Sequence, residues 1–241
     1  DAALSAIEAY CMEQGIALEL SVVPREKAGK LLERYPHFHL DNPRSWRDYL
    51  YEANDLREFP GRHYSGQRNH VNKFLKTYGN WAFRVITRED LPAVGAFLDR
   101  YAAGRDKAAA SFHEDIAKTR EVLANYDTYG MLGGMLLVED QIVGFSLGEV
   151  IGDTLFTHIE KADRDYQGCY QMLVAQFAQQ FAGGEVQFIN REDDAGDLGL
   201  RTSGGGWLYH LRVSPGGSTL TEVDAQGNER PLAAPTVQVS G

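Results

Sequence analysis

The sequence predicts an α+β fold in which helices layer against a mixed, mostly antiparallel sheet. Three observations carry this. Between residues 82 and 190 the hydrophobic pattern reads β-α-α-β-β-β-α-β. Three of those strands follow one another with only turn signals between them, and the helices fall outside that run.

The elements can be justified in order. Residues 2–14 have a helical pattern, and "IALELSVV" then alternates like a strand, with Ile16, Leu18 and Leu20 on one face. A second helix fits 25–35, and "RDYLYEA" around 47–53 reads as a strand. Pro60-Gly61 and Gly66 mark a loop. After it Val71, Phe74, Leu75 and Tyr78 fall at i, i+3, i+4 and i+7, one apolar helix face, with Ser65 as N-cap. "WAFRVITREDLPAVGAFLDRYAAG" gives a strand, a cap at Asp90 and a helix that tolerates Pro92 in its first turn. A helix over about 107–125 precedes the strands "GMLLVE", "IVGFSLGEVI" and "TLFTHIE". A long helix over 167–181 leads to "EVQFIN". The end is turn-rich and holds no Lys after Lys161, which suggests one or two short strands and a loose tail.

Composition narrows the function classes. The chain carries 24 basic and 34 acidic residues, so indiscriminate coating of nucleic acid is disfavoured, while a local basic strip can still attract a polyanion. Two cysteines, Cys11 and Cys169, provide neither a disulfide framework nor a metal spacing, and a reducing cytoplasm is the default expectation. The seven His are scattered, so no metal site is expected. No apolar run approaches the roughly 20 residues of a membrane span. The chain opens "DAALSAIEAY", on a helical pattern and without Met, which reads as a piece of a longer protein.

One segment runs against the overall acidity. From Arg57 to Arg88 there are seven Arg or Lys and a single acid, Glu58. Arg57, Arg62, Arg68, Lys73 and Lys76 alternate with His63, Tyr64 and His70. A helix with a cationic outer face is often only solvated. At this density, with glycines that let backbone N–H groups approach, the segment suits phosphate contact and base stacking.

That element order, with "ITREDLPAV" opening its first helix, resembles the Gcn5-related N-acetyltransferase fold. Three separated segments, "REFPGRHYSGQRNHVNKF", "FTHIEKADRDYQGCYQ" and "FINREDDAGDLGLR", resemble the DUF2156 family, related to the C-terminal domain of phosphatidylglycerol lysyltransferases. The resemblance covers roughly residues 1–203. It implies two tandem acetyltransferase-like halves: a truncated first half with the basic helix over 1–80, a second domain over 81–213, and a loose tail over 214–241. It also implies aminoacyl-tRNA as donor and a lipid headgroup or small molecule as acceptor, with no tightly bound cofactor. After "GLR" the family continues with a Lys and a Tyr-His-Pro, whereas this chain reads "TSGGGWLYHLRV". A degenerate, non-catalytic anion-binding domain is therefore a third reading, beside an acyltransferase that uses acyl-CoA.

The site residues follow. Strand alternation puts His158 and Glu160 on one face, where either could take a proton from an attacking amine or hydroxyl. A charged pair at a strand edge is the bland alternative. Lys161, facing away from Glu160, is grouped with the substrate-binding candidates. Asn190, Arg191 and Glu192 sit at a strand exit, where sites collect, and could hold the donor's amino group or ribose, with Arg201 on a phosphate. The turn into the long helix offers Asp163 and Asp165 where an acyl-CoA loop needs a basic or amide residue, so a pyrophosphate would be repelled. Cys169, near that helix's start, reads as a packing residue because no His–Asp arrangement surrounds it.

Overall fold

The computed structural model describes residues 2–23, 25–41, 48–103 and 110–192, and the backbone of four short strands at 206–208, 211–215, 221–223 and 229–231. The chain forms two compact units, Asp1–Tyr49 with Asp193–Gly241, and Leu50–Glu192. The basic helix belongs to the second unit because Phe74 is fully buried there among Leu136, Val143 and Leu173.

The first unit opens with α1 (Ala2–Gln14), β1 (Leu20–Val23), α2 (Arg25–Arg34) and β2 (Phe38–Asp41). Its core is Val23, Ala28, Tyr35, Phe38 and Leu40, with the Tyr35 and Phe38 rings stacked at 4.7 Å. The strand expected from residue 16 starts only at Leu20, and Ile16 is 54% exposed. The chain is still closing α1 at that point: Gly15 is left-handed, and the Ile16 N–H donates back to the Cys11 carbonyl.

The second unit is entered through β3 (Asp48–Glu52) and continues with α3 (Ala53–Glu58), α4 (Ser65–Thr77) and β4 (Trp81–Val85). A 3-10 turn at Arg88–Asp90 precedes α5 (Leu91–Ala103) and α6 (Ala110–Ala124). Then come β5 (Leu132–Val138), β6 (Gln141–Ile151), β7 (Thr154–Ala162), α7 (Cys169–Phe181) and β8 (Phe188–Asn190). Two caps differ from expectation. Tyr64 precedes α4 as its cap and Ser65 is already helical, while Thr87 caps the 3-10 turn in a capping box with Asp90.

Six strands of this unit run in the order β4-β5-β6-β7-β8-β3. Every neighbouring pair is antiparallel except β7 and β8, which the α7 crossover makes parallel. One sheet face carries Met135, Leu137, Phe145, Leu147 and Ile159 against Val94, Phe97 and Leu98 of α5 and Ile116 of α6. The other carries Leu136, Val138, Val143 and Ala162 against Phe74 of α4 and Met172 and Leu173 of α7. This is the acetyltransferase-like α+β layering expected from the sequence. On α4 the expected apolar stripe is only partly used, since Phe74 is buried but Leu75 is 42% exposed.

The chain returns to the first unit with β9 (Gly206–Leu208), β10 (Leu211–Pro215), β11 (Thr221–Val223) and β12 (Glu229–Pro231). β10 lies antiparallel between β1 and β2, and β11 pairs with β12. The region expected to be a loose tail thus contains a strand pair.

Candidate functional site

The parallel strands β7 and β8 stay together for only three rungs, from Thr154↔Phe188 to Phe156↔Asn190. β8 then ends, while β7 runs on to Ala162. Beyond Phe156 the two strands part at the carboxyl end of β8, leaving a narrow gap filled by side chains. Its base is lined by Leu56, Leu155, Thr157, Val174, Phe177 and Ile189, with Glu160 and Arg191 above them.

β7 carries a bulge at this point. Leu147 pairs with Ile159 and Gly148 with Thr157, so His158 is an extra residue in the β6–β7 ladder. The bulge resets the alternation, and His158 and Glu160 point to opposite faces. The expectation that they share a face is corrected. Alternation holds only while residues pair one to one, and a two-against-one count shifts it.

On the α5/α6 face, His158 lies between two carboxylates. Its Nδ1 is 2.5 Å from Glu192 Oε1, and its Nε2 is 3.1 Å from Glu149 Oε1. The Phe156 ring lies nearly parallel to the imidazole at 6.4 Å. A neutral imidazole has one donor nitrogen, so both contacts are hydrogen bonds only in the imidazolium form. The pKa is accordingly raised, first by the hydrogen bond to Glu192 and further by Glu149, against the opposing effect of burial.

On the α7 face, Glu160 forms a nearly buried ion pair with Arg191. Their side chains are 12% and 10% exposed. Glu160 Oε2 accepts from Arg191 Nε at 3.2 Å, from Arg191 Nη2, and from the Tyr170 hydroxyl at 2.8 Å. The guanidinium also lies over the Tyr51 and Tyr170 rings, 5.9 and 5.5 Å from their centroids. Glu160 and its neighbours hold Arg191 well above its usual range despite burial, and burial pushes the Tyr170 phenol strongly up.

The strand exit is shaped by Asn190, fully buried, whose Oδ1 accepts the Glu192 N–H at 2.7 Å. Glu192 is left-handed at φ 57, which sends Arg191 toward Glu160 and Glu192 toward His158. Lys161 does not join this group. It is 7% exposed on the face opposite Glu160, and its Nζ donates to Asp115 of α6 at 2.9 Å. Arg201 lies outside the described residues.

The basic segment separates into two sets. Arg68 is committed inside the chain, donating to the carbonyls of Phe59 and of Gly61, the latter at 2.6 Å, and so pinning a loop in which Phe59 is left-handed. Arg57 is half-buried, and its carbonyl accepts from Gln179 of α7. Arg62, Lys73 and Lys76 are exposed.

The N-terminus of α7 is covered by α4. A Cβ on Gly168, φ 79, would come within 2.2 Å of the His70 carbonyl oxygen and 3.1 Å of Phe74 Cβ. The Gln167 N–H donates to the Tyr78 hydroxyl at 3.1 Å, and Tyr78 packs on Tyr166 at 5.4 Å. Cys169 is 1% exposed, its thiol donates to the Val143 carbonyl, and burial pushes its pKa up to about 12. It is a packing thiol.

Tyr170, Tyr51, Glu149 and Asp115 escaped sequence reasoning. Tyr170 could have been found: it is the second residue of the helix that next follows the Glu160 strand. Glu149 could not, since its contact depends on the bulge.

A layered α+β domain in which two parallel strands part beside a buried ion pair has acetyltransferase-like layering. Residues 1–203 match the family described as "Phosphatidylglycerol lysyltransferase, C-terminal", and the chain belongs to that family. Among solved structures it is similar to a conserved protein of unknown function from Bacteroides thetaiotaomicron, with 26% identity and a TM-score of 0.79 over 89% of this chain and 75% of that one. It shares its fold with L-PGS from Bacillus licheniformis, with 13% identity and a TM-score of 0.58 over 88% and 71% of the two chains. An uncharacterized protein of Mycoplasmoides gallisepticum is 26% identical over 157 residues, 65% of this chain. The chain spans half the length of that curated relative. Membership of that family supports an acyltransferase- or aminoacyltransferase-like role. No helix among the described residues is long and apolar enough to cross a membrane.

Proposed function

We propose that this domain transfers an aminoacyl group from aminoacyl-tRNA to an amine or hydroxyl acceptor, such as a lipid headgroup or a small molecule. The observation that carries the choice of donor is the covered N-terminus of α7. An acyl-CoA-dependent domain of this layering needs free backbone N–H groups there for a pyrophosphate. Here the Gln167 N–H is spent on Tyr78, and the His70 carbonyl abuts Gly168. That argues against the acyl-CoA alternative, and the exposed Arg62, Lys73 and Lys76 are available for tRNA phosphates.

In the reaction the acceptor's nucleophilic atom attacks the ester carbonyl carbon of the donor. The tetrahedral intermediate collapses with loss of the ribose oxygen, which leaves with the proton first taken from the acceptor. Glu160 takes the acceptor's proton. Arg191 and Tyr170 hold its carboxylate in place through hydrogen bonds to Oε2. His158 serves as a charged brace on Glu192 rather than as the base, because both its nitrogens are engaged.

The test is binding of labelled, charged tRNA at low and moderate salt, with and without excess CoA. Salt-sensitive binding that CoA leaves unchanged supports the reading. Displacement by CoA, or no tRNA binding at low salt, moves the assignment to the acyl-CoA alternative or to a domain without transferase activity.

A further inference from the structure

Ser146 of β6 is fully buried, yet its Oγ has no hydrogen-bond partner among the described residues. A buried hydroxyl without a partner is costly and calls for a reason. Phe145 and Leu147 face α5 and α6, so Ser146 faces α7, the side that Glu160 occupies. Its neighbours there are Gly134 across on β5, Gly144 and Gly148 along β6, and Glu160 directly opposite on β7. The glycines offer no side chain, and the Phe83 and Leu173 side chains lie over Gly134 and Gly144. Of the four neighbours, Glu160 has the one polar side chain.

In this structure the Glu160 carboxylate is engaged by Arg191 and the Tyr170 hydroxyl instead. The two members of that ion pair are held unequally. Glu160 is fixed within the β6–β7 ladder, opposite Ser146. Arg191 lies past the last β7–β8 rung, Phe156↔Asn190, where no ladder holds its backbone. Arg191, Glu160 and their apolar neighbours fill the gap between the strands and leave no room for a water molecule. A ligand entering there has to displace a side chain, and Arg191 is the one beyond the ladder's end. Directly opposed residues of an antiparallel pair have Cβ atoms about 4.5–5.5 Å apart, within reach of a glutamate carboxylate for a serine hydroxyl.

We propose that Ser146 is a positioning residue for Glu160: its hydroxyl donates to the carboxylate when Arg191 leaves the β7–β8 gap. The carboxylate then keeps two donors, Ser146 and Tyr170, while the gap opens. On the transferase reading this holds the base in place as the acceptor enters. Only that purpose rests on the reading; the hand-over rests on the contacts.

The experiment is a double-mutant cycle of Ser146→Ala and Arg191→Met, read by urea unfolding and by the Glu160 carboxyl carbon resonance. In the wild-type background Ser146→Ala should leave the unfolding constant unchanged or lower it, because the hydroxyl has no partner to lose. In the Arg191→Met background the same change should raise it about tenfold, the loss of one hydrogen bond to a carboxylate. It should also shift the Glu160 carboxyl resonance there, which a role in packing would not do. Equal effects in the two backgrounds overturn the proposal. So does destabilisation confined to the wild type, which would mean that a trapped water serves Ser146 at rest. Should Arg191→Met not fold, Arg191→Lys replaces it, keeping the charge but losing the two-nitrogen fork, with the same contrast between backgrounds expected. Neither tRNA nor acceptor enters this experiment, so its failure is distinct from a failure of the transferase reading.

Discussion

His158 and Glu160, two residues apart on one strand, serve opposite faces of the sheet. The bulge in β7 separates an imidazole held by Glu149 and Glu192 from a carboxylate held by Arg191 and Tyr170.

The first prediction concerns pH. The folded His158 has a pKa above its usual 6.5. The folded state therefore binds the proton more tightly than the unfolded chain. Its contribution to stability is fully present below about 6.5 and is lost as pH rises through the raised folded value. The melting temperatures of wild type and His158→Gln should differ most near pH 6 and converge at alkaline pH. A gap that widens with rising pH would reverse the assignment.

The buried ion pair should show marked non-additivity. Arg191→Ala leaves Glu160 uncompensated and should cost about 3–5 kcal/mol, whereas the double change Glu160→Met with Arg191→Met should cost much less than the sum of the single changes. Tyr170→Phe removes one bond to Oε2 and should cost about 1–2 kcal/mol. Denaturant unfolding of the cycle measures both.

Gly168→Ala should destabilise the fold by about 2 kcal/mol or more. It places a side chain in a left-handed conformation and against the His70 carbonyl, which is backbone and cannot turn away. Loss of α4–α7 packing should appear as faster hydrogen exchange in α4.

The basic segment should divide by experiment as it does by contact. Arg68→Ala should lower stability by about 1–3 kcal/mol, since two carbonyls lose their charged donor. Arg62→Ala, Lys73→Ala and Lys76→Ala should leave the melting temperature within about a degree or two. Under the tRNA proposal each should flatten the salt dependence of binding by roughly one charge.

Much of the architecture was legible because periodicity is a local property. The order from β4 to β8 follows from apolar spacing and turn residues, and α1 matches its expected span. The site was legible only as a neighbourhood. "HIEK" and "INRE" flank the gap, but which side chains meet depends on a ladder with one extra residue. Lys161 illustrates the limit: its partner Asp115 lies 46 residues away on α6, and no local pattern announces that contact. Arg68 shows the converse, since a residue that looks free for phosphate is engaged by carbonyls of its own loop.

The extra residue in β7 has an electrical consequence. With regular pairing, the imidazolium and the Arg191 guanidinium would crowd around the same carboxylates, and the protonation of one would move the other. Placed across the sheet, each has its own carboxylate partner, Glu192 for the imidazole and Glu160 for the guanidinium. The domain thus carries two separate charge pairs, and alkali can discharge the imidazole while the guanidinium keeps its charge.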